Sequence, residues 1–302
     1  MLIVMQYQHL IDPSYNLKGN VAILYANDEK MLSVIMKALV LTEIEVYLYD
    51  TQDPTEIIRS FDIDPQLLNR IHIHTFSNDN ELFKQCADDL SAGKVSVLVK
   101  GNLMSSTLLS FVLSNKSFIA KHGFLNHVAC FNVPTYHKTL MLSDVALNIN
   151  PSVEEKKQII NNLTEFSKAL GYDQFKVGIL SSVEKPTKKI LSSTDAEKLK
   201  NIFSRTTSDY LFVDGPLAFD NAISMESVIK KNIKSHVAGD VDALLVSNID
   251  VGNALYKSFT YFAGARVASL VLGAKFPIVL TSRADTKQNK LDSLLLALKM
   301  LN

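Results

Sequence analysis

With 302 residues, 47% of them apolar, the chain can bury two ordinary cores, since domains run to about 100 to 200 residues. Lys+Arg and Asp+Glu balance at 31 each, so there is no overall positive field of the kind that nucleic acid or an anionic membrane attracts, and any anionic ligand must be held by local charges. The opening "MLIVM" is too short for a signal-peptide core of roughly 7 to 15 residues. The apolar Val267 to Leu280 is broken by Lys275 and Pro277, short of the ~20 residues of a membrane span, and Cys86 and Cys130 stand outside any C-x-x-C pattern. A soluble, cytoplasmic protein is expected, with no disulfide framework, no zinc site and no nucleic-acid or membrane partner.

In chain order, short β-branched or aromatic runs alternate with segments of helical period, which is the pattern of a mostly parallel sheet flanked by helices. "VAILYA", "EVYLYD", "IHIHTF" and "VSVLVKG" are read as strands. The helical "DEKMLSVIMKALV" follows the first of them, with Asn27 and Asp28 where an N-cap is wanted, and "SSTLLSFVL" follows Gly101 in the same way. Between Asn126 and Asn150, "HVACFNVP" and "KTLMLSDVAL" leave no room for a helix and predict an antiparallel pair. A helix is predicted from Val153 to Leu170, on the spacing of Ile159, Ile160, Leu163 and Phe166, with Gly171 as its stop. "FKVGILSS", "YLFVDGP", "DALLVSNI", "VASLVLG" and "FPIVLTS" are further strands. Helices lie between them around Asp195 to Phe203, Met225 to Lys231 and Asn253 to Ala265.

Open α/β sheets bind ligands beyond the carboxyl ends of their strands, so the turns after the predicted strands carry the candidate chemistry. In "LVKGNLMSST", Lys100 and Gly101 end a strand, and Ser105, Ser106 and Thr107 open a helix whose amides suit a phosphate; a glycine turn with a capping hydroxyl is the plainer reading. In "VDGPLAFDNAIS", Asp214-Gly215-Pro216 breaks a strand ahead of Asp220, Asn221 and Ser224, either as turn chemistry or as a cleft wall. In "SNIDVGNALYKSF", Gly252 and Asn253 begin a helix with Lys257 one turn up the same face, placed for a phosphate or snorkelling at a core edge. In "TSRAD", Ser282, Arg283 and Asp285 gather a hydroxyl, a guanidinium and a carboxylate at a strand end. They suit phosphate and proton chemistry, or a simple surface ion pair between Arg283 and Asp285.

Other groups carry less. His72 and His74 share a strand face without further ligands nearby, and His122 and His127 lack helical ligand spacing. No G-x-G-x-x-G follows the first strand, which disfavours a dinucleotide site, and "VEKPTKK" reads as a mobile basic loop.

Taken in order, "LVKG" with its following hydroxyls, "SDVALNINPSVEEK", "GPLAFDNAIS" and the run from "HVAGDVDALLVSNIDVGNALYKSF" to "FPIVLTSRAD" resemble the phosphate acetyltransferase and phosphate butyryltransferase family, its butyryl branch more closely. The resemblance covers the chain from about Lys18 onward. It implies two α/β domains of the isocitrate/isopropylmalate dehydrogenase kind with a cleft between them, residues 1–134 plus 270–302 forming the first and 135–269 an inserted second. It also implies a homodimer or higher homo-oligomer. The implied reaction is reversible exchange of a butyryl, branched or other short acyl group between coenzyme A and inorganic phosphate, with coenzyme A as substrate and no metal or other cofactor. Arg283 would bind the phosphoryl group, Ser282 would hydrogen-bond the oxyanion and Asp285 or a nearby carboxylate would handle the thiol proton. Lys100, Gly101, Gly215, Pro216, Asp220, Gly252, Asn253 and Lys257 are the substrate-binding candidates.

The chain departs from the family pattern at three places. Asn289 stands where the acetyl branch has an aspartate, Ser247 where "PN" is usual, and Asn126 where a serine commonly precedes "HV". Acetyl transfer, a metal-dependent decarboxylating dehydrogenase built on Asp240, Asp242 and Asp250, and a non-catalytic binder of CoA esters are the alternatives.

Overall fold

The structure, a computed structural model, describes residues 4–120, 123–205 and 209–301; Met1 to Ile3 of the opening apolar run and His122 lie outside the described residues. The strands are β1 (Lys18–Leu24), β2 (Glu43–Asp50), β3 (Ile71–Thr75), β4 (Val97–Lys100), β5 (Asn126–Asn132), β6 (Leu140–Ser143), β7 (Phe175–Leu180), β8 (Leu211–Leu217), β9 (Ala243–Leu245), β10 (Arg266–Leu272) and β11 (Ile278–Val279). Every strand predicted from the sequence is present. Among the described residues no helix is long and apolar enough to cross a membrane.

The chain divides into two compact units, Leu10–Gly123 with Ala268–Asn302, and Met1–His9 with Phe124–Val267. The first division falls ahead of β5 rather than at the expected 134/135. The cause is pairing: β5 is antiparallel to β6, with Ala129 opposite Leu142 and Phe131 opposite Leu140, so the two strands belong to one unit.

In the first unit the strand order is β3-β2-β1-β4-β11-β10. β3, β2, β1, β4 and β11 are parallel neighbours, and only β10 runs antiparallel, facing β11 at Val271 and Ile278. Val21, Ile23, Ile44 and Leu48 are fully buried, as are Leu32 and Ile35 of the helix Glu29–Leu41. Each such side chain contributes about 1.5 to 3 kcal/mol of burial. That helix begins where the sequence placed its cap, the Asp28 carboxylate accepting from the Met31 amide at 3.1 Å. The terminal helix Lys287–Lys299 packs against it.

In the second unit the order is β5-β6-β9-β7-β8, parallel from β6 onward. The predicted helix after β6 spans Val153–Ala169 and opens with a capping box between Ser152 and Glu155. Gly171 follows it with φ +83°, the left-handed stop that glycine supplies. Phe131 sits at the centre of this core, edge-on to Tyr256 and Phe259 at 5.4 and 5.2 Å between centroids. Gly215-Pro216 does not break its strand: β8 runs on to Leu217, and an edge strand tolerates a proline that cannot donate to a neighbour.

The turn after β6 is held by one side chain. Buried Asp144 accepts from the amides of Ala146 and Leu147, both at 2.9 Å, from those of His127 (3.2 Å) and Asn148 (3.3 Å), and from Asn148 Nδ2 at 2.6 Å. Asp144→Ala removes the one acceptor shared by these donors, the buried His127 amide among them, and is predicted to destabilise the protein by about 3 kcal/mol, read from urea unfolding. Unfolding at an unchanged midpoint contradicts this account of the turn.

Candidate active site

Five of the sequence-predicted residues come together in the first unit, at the carboxyl end of β4 and in the turn between β11 and the terminal helix. Lys100 is the last residue of β4 and only 3% exposed. Its Nζ donates to the carbonyls of Leu103 at 2.9 Å and Gly101 at 3.3 Å. Gly101 is required by close approach: a Cβ there would stand 2.2 Å from the Tyr25 carbonyl oxygen. The helix Ser105–Ser114 starts just beyond, with no side chain capping its first turn.

The "TSRAD" turn is an organised loop. The Asp285 carboxylate accepts from the Ser282 amide at 2.6 Å, and the Ser282 hydroxyl oxygen accepts from the Ala284 amide at 3.3 Å, leaving the hydroxyl hydrogen to donate outward. The plain alternative, an Arg283–Asp285 surface pair, does not form: Asp285 is buried, while Arg283 is exposed and has no ion-pair partner among the described residues.

A residue that sequence reasoning passed over completes the group. Lys290, in the first turn of the terminal helix, is 8% exposed and donates to Thr281 Oγ1 at 3.0 Å and to the Ser282 carbonyl at 3.2 Å. Lys30 closes the turn from the other side, donating to the Arg283 carbonyl at 3.1 Å. The signal for Lys290 was its spacing: it precedes Leu294 by four residues and Leu298 by eight, which puts an ammonium on the apolar face of the helix.

Electrostatically these groups are one cluster. Lys100 is held down to about 8, first by burial and then by the positive charges of Lys290 and Arg283, against the opposing pull of Asp28 and Asp285. Lys290 is also lowered, chiefly by burial, with Asp285 and Asp28 opposing and Lys30 adding to the effect. When all are ionised, four cations (Lys30, Lys100, Arg283 and Lys290) face two carboxylates (Asp28 and Asp285), an excess of two positive charges. A phosphate dianion has the matching charge, and a guanidinium and a nearby helix start have the matching donors.

The remaining predicted residues belong to the second unit and are spread over separate elements. Gly252 does not begin its helix, which starts at Ile249 with Asn248 as cap; its amide already donates to the Asn248 carbonyl, so it is spent within the helix. A Cβ at Gly252 would stand 2.2 Å from the Asp144 carbonyl oxygen, and close packing explains the glycine. Asn253 is exposed on the same helix, and Lys257 lies over the Tyr256 ring at 4.9 Å. Gly215 packs on Ile179, Pro216 borders a 750 Å³ cavity that Lys200, Lys231 and Lys234 also line, and Asp220 pairs with Lys231 at 2.9 Å.

Of the three carboxylates weighed for a metal, Asp240 and Asp242 are otherwise engaged. Lys138 bridges Asp240 and Asp242 at 3.0 and 2.7 Å, and Lys176 meets Asp240 at 2.5 Å. Among the described residues no group of three or more His, Cys, Asp or Glu is placed to hold a metal ion. His72 pairs with Glu45 at 2.7 Å and stacks on Tyr47, with His74 stacked on Tyr49. "VEKPTKK" is tied down by Glu184 to Lys231 and by the Thr187 amide to Ser193 Oγ.

Residues 72–298 match the family model described as phosphate acetyl/butaryl transferase. The chain belongs to this family. It is 43% identical, over 67% of its length and 68% of the relative's, to a probable phosphate butyryltransferase of Bacillus subtilis. It is 32% identical, over 96% of its length and 84% of the relative's, to a phosphate acetyltransferase of Rickettsia felis. Its fold matches a branched-chain phosphotransacylase of Enterococcus faecalis with a TM-score of 0.83 at 31% identity, covering 94% of this chain and 99% of that one. The "TSRAD" turn and Lys290 fall inside the matched span, and so does Lys100.

The depressed Lys100 has a measurable consequence for stability. Between about 8 and its ordinary 10.5 the unfolded chain binds a proton that the folded chain releases, so Lys100 makes stability rise with pH across that window. Comparing urea unfolding of wild type and Lys100→Met from pH 8 to 10.5, the wild type should gain up to about 3 kcal/mol more than the variant. Parallel curves would show that the amine is not held neutral in the fold.

Proposed function

We propose that this protein transfers a short acyl group reversibly between coenzyme A and inorganic phosphate, with butyryl or a branched chain as the favoured acyl group. The observation that carries the reading is the surplus of two positive charges around "TSRAD", on a chain whose family is named for this reaction. The acyl preference is supported by the B. subtilis and E. faecalis likenesses and by Asn289. Acetyl transfer is the second reading, favoured by the near full-length likeness to the R. felis protein; the site chemistry is the same for both.

In the forming direction a phosphate oxygen attacks the thioester carbonyl and the coenzyme A sulfur leaves. Arg283 is proposed to hold the phosphate through its free guanidinium, with Lys30, Lys100 and Lys290 offsetting its second charge. The Ser282 hydroxyl, with its hydrogen uncommitted, donates to the carbonyl oxygen as it gains negative charge. The residues need no metal or redox group for these roles. The fold reading as an isocitrate/isopropylmalate dehydrogenase-like architecture rests on the open, mostly parallel sheet of each unit. A homodimer is also proposed: Tyr261 and Phe262, 70% and 92% exposed at the end of their helix, offer apolar surface to a second copy. Buried, unpaired Cys86 and Cys130 fit a reducing cytoplasm.

Purified protein incubated with butyryl-CoA, with and without phosphate, should release free thiol only when phosphate is present, and Ser282→Ala should lower kcat by about two to three orders of magnitude. A panel of acetyl, butyryl and branched acyl-CoA substrates ranks the acyl preference. Absence of phosphate-dependent release across the panel, or activity that requires Mg²⁺ and a nicotinamide cofactor, contradicts the reading.

A further inference from the structure

Transfer from a thioester to phosphate moves a proton as well as an acyl group. HPO₄²⁻ loses its proton as its oxygen bonds to the carbonyl carbon, and sulfur gains one as the carbon–sulfur bond breaks, so acyl phosphate dianion and neutral thiol result. A group that takes up and returns one proton is needed close to both events. Asn289 has none to give, and the Asp285 carboxylate is turned to the Ser282 amide at 2.6 Å.

Lys100 is the titratable group placed for this. It ends β4, where a ligand sits in an open α/β sheet, and two of the three N–H bonds of its ammonium are directed to the Leu103 and Gly101 carbonyls. The charged groups that face it are Arg283 and Asp285 from the turn after β11, Lys290 from the terminal helix and Asp28 from the start of the helix Glu29–Leu41. The helix Ser105–Ser114 opens with hydroxyls and adds no charge, and the Tyr25 phenol, at the end of β1, is coupled to Asp79 and Asp50. Lys290 is fixed independently by Thr281 and the Ser282 carbonyl.

We propose that Lys100 is the catalytic residue that carries the thiol proton, and that Lys290 is a positioning residue whose fixed charge keeps Lys100 ready to give that proton up. The proposal rests on the acyl-transfer reading. In the forming direction the Lys100 ammonium protonates the departing sulfur, and the resulting amine takes the proton released by the attacking phosphate. In reverse the amine removes the thiol proton and the sulfur attacks the acyl phosphate. Lys100, held at about 8, is close to neutrality, where a carrier works in both directions.

The test is the pH profile of kcat/KM for butyryl-CoA at fixed phosphate, measured on wild type, Lys100→Met and Lys290→Met. Wild type should fall as pH rises through an inflection near 8, because the acid form is consumed. Lys100→Met should lose that inflection and at least about 100-fold in kcat, with the loss in kcat outweighing any rise in KM for phosphate. Lys290→Met should keep an inflection and move it upward by about one unit, since one neighbouring charge is gone. An inflection retained in Lys100→Met, or a loss confined to KM for phosphate, overturns the proposal. If Lys100→Met does not fold, Lys290→Met decides, and an unmoved inflection is the contrary result. Wild type without any phosphate-dependent thiol release would instead remove the acyl-transfer reading itself.

Discussion

Two amines, Lys100 and Lys290, are buried in a cluster that, with Lys30 and Arg283, holds four cations against the carboxylates of Asp28 and Asp285, and the chemistry proposed at the ends of β4 and β11 depends on that imbalance. An ammonium taken from water costs several kcal/mol unless it is paired, and two carboxylates do not neutralise four cations. The fold limits the cost locally. Lys100 is bonded to the carbonyls of its own turn, Lys290 to Thr281 and the Ser282 carbonyl, and Lys100 is pushed toward neutrality. What the cluster leaves unmet is negative charge, and the proposed phosphate dianion would supply it.

Backbone detail makes the arrangement possible. Gly101 lets the chain leaving β4 lie against the carbonyl of Tyr25, and Asp285 shapes the turn after β11 through the Ser282 amide. That turn holds Arg283 exposed and Ser282 with a free donor, while Thr286 caps the helix that carries Lys290, accepting from the Asn289 amide at 3.1 Å. Acceptors, cations and the proposed oxyanion donor are therefore set by the ends of β4 and β11 and by one helix start. Preorganisation of this kind gives electrostatic stabilisation without rearrangement during the reaction.

Much of this was legible in the sequence, for specific reasons. Strand runs such as "EVYLYD" and the antiparallel "HVACFNVP" and "KTLMLSDVAL" pair announce themselves by composition and by connections too short for a helix. The helix Asp79–Ser91 was passed over because its apolar positions are few among "DNELFKQCADDLS", although Asn78 with Glu81 three residues on is a helix-start pattern. Gly215-Pro216 looked like a strand break, and only the edge position of β8 shows why the strand continues. In the site, Ser282, Arg283 and Lys100 were visible as polar residues after strands. Lys290 was hidden because a lysine in the first turn of a terminal helix reads as solvated, and its burial depends on packing that sequence spacing only hints at. Gly252 was misplaced because the helix start was read three residues late, at the glycine instead of at Ile249, which follows the Asn248 cap.

The central claim is that the surplus positive charge around "TSRAD" is a phosphate-dianion site with Arg283 as its bidentate partner. Calorimetric titration of inorganic phosphate into wild type and Arg283→Gln at pH 7 tests it directly. The account predicts saturable one-to-one binding by wild type and an affinity lower by about tenfold or more in the variant, the scale of one charge-assisted bidentate contact. Equal affinities in the two proteins would contradict it.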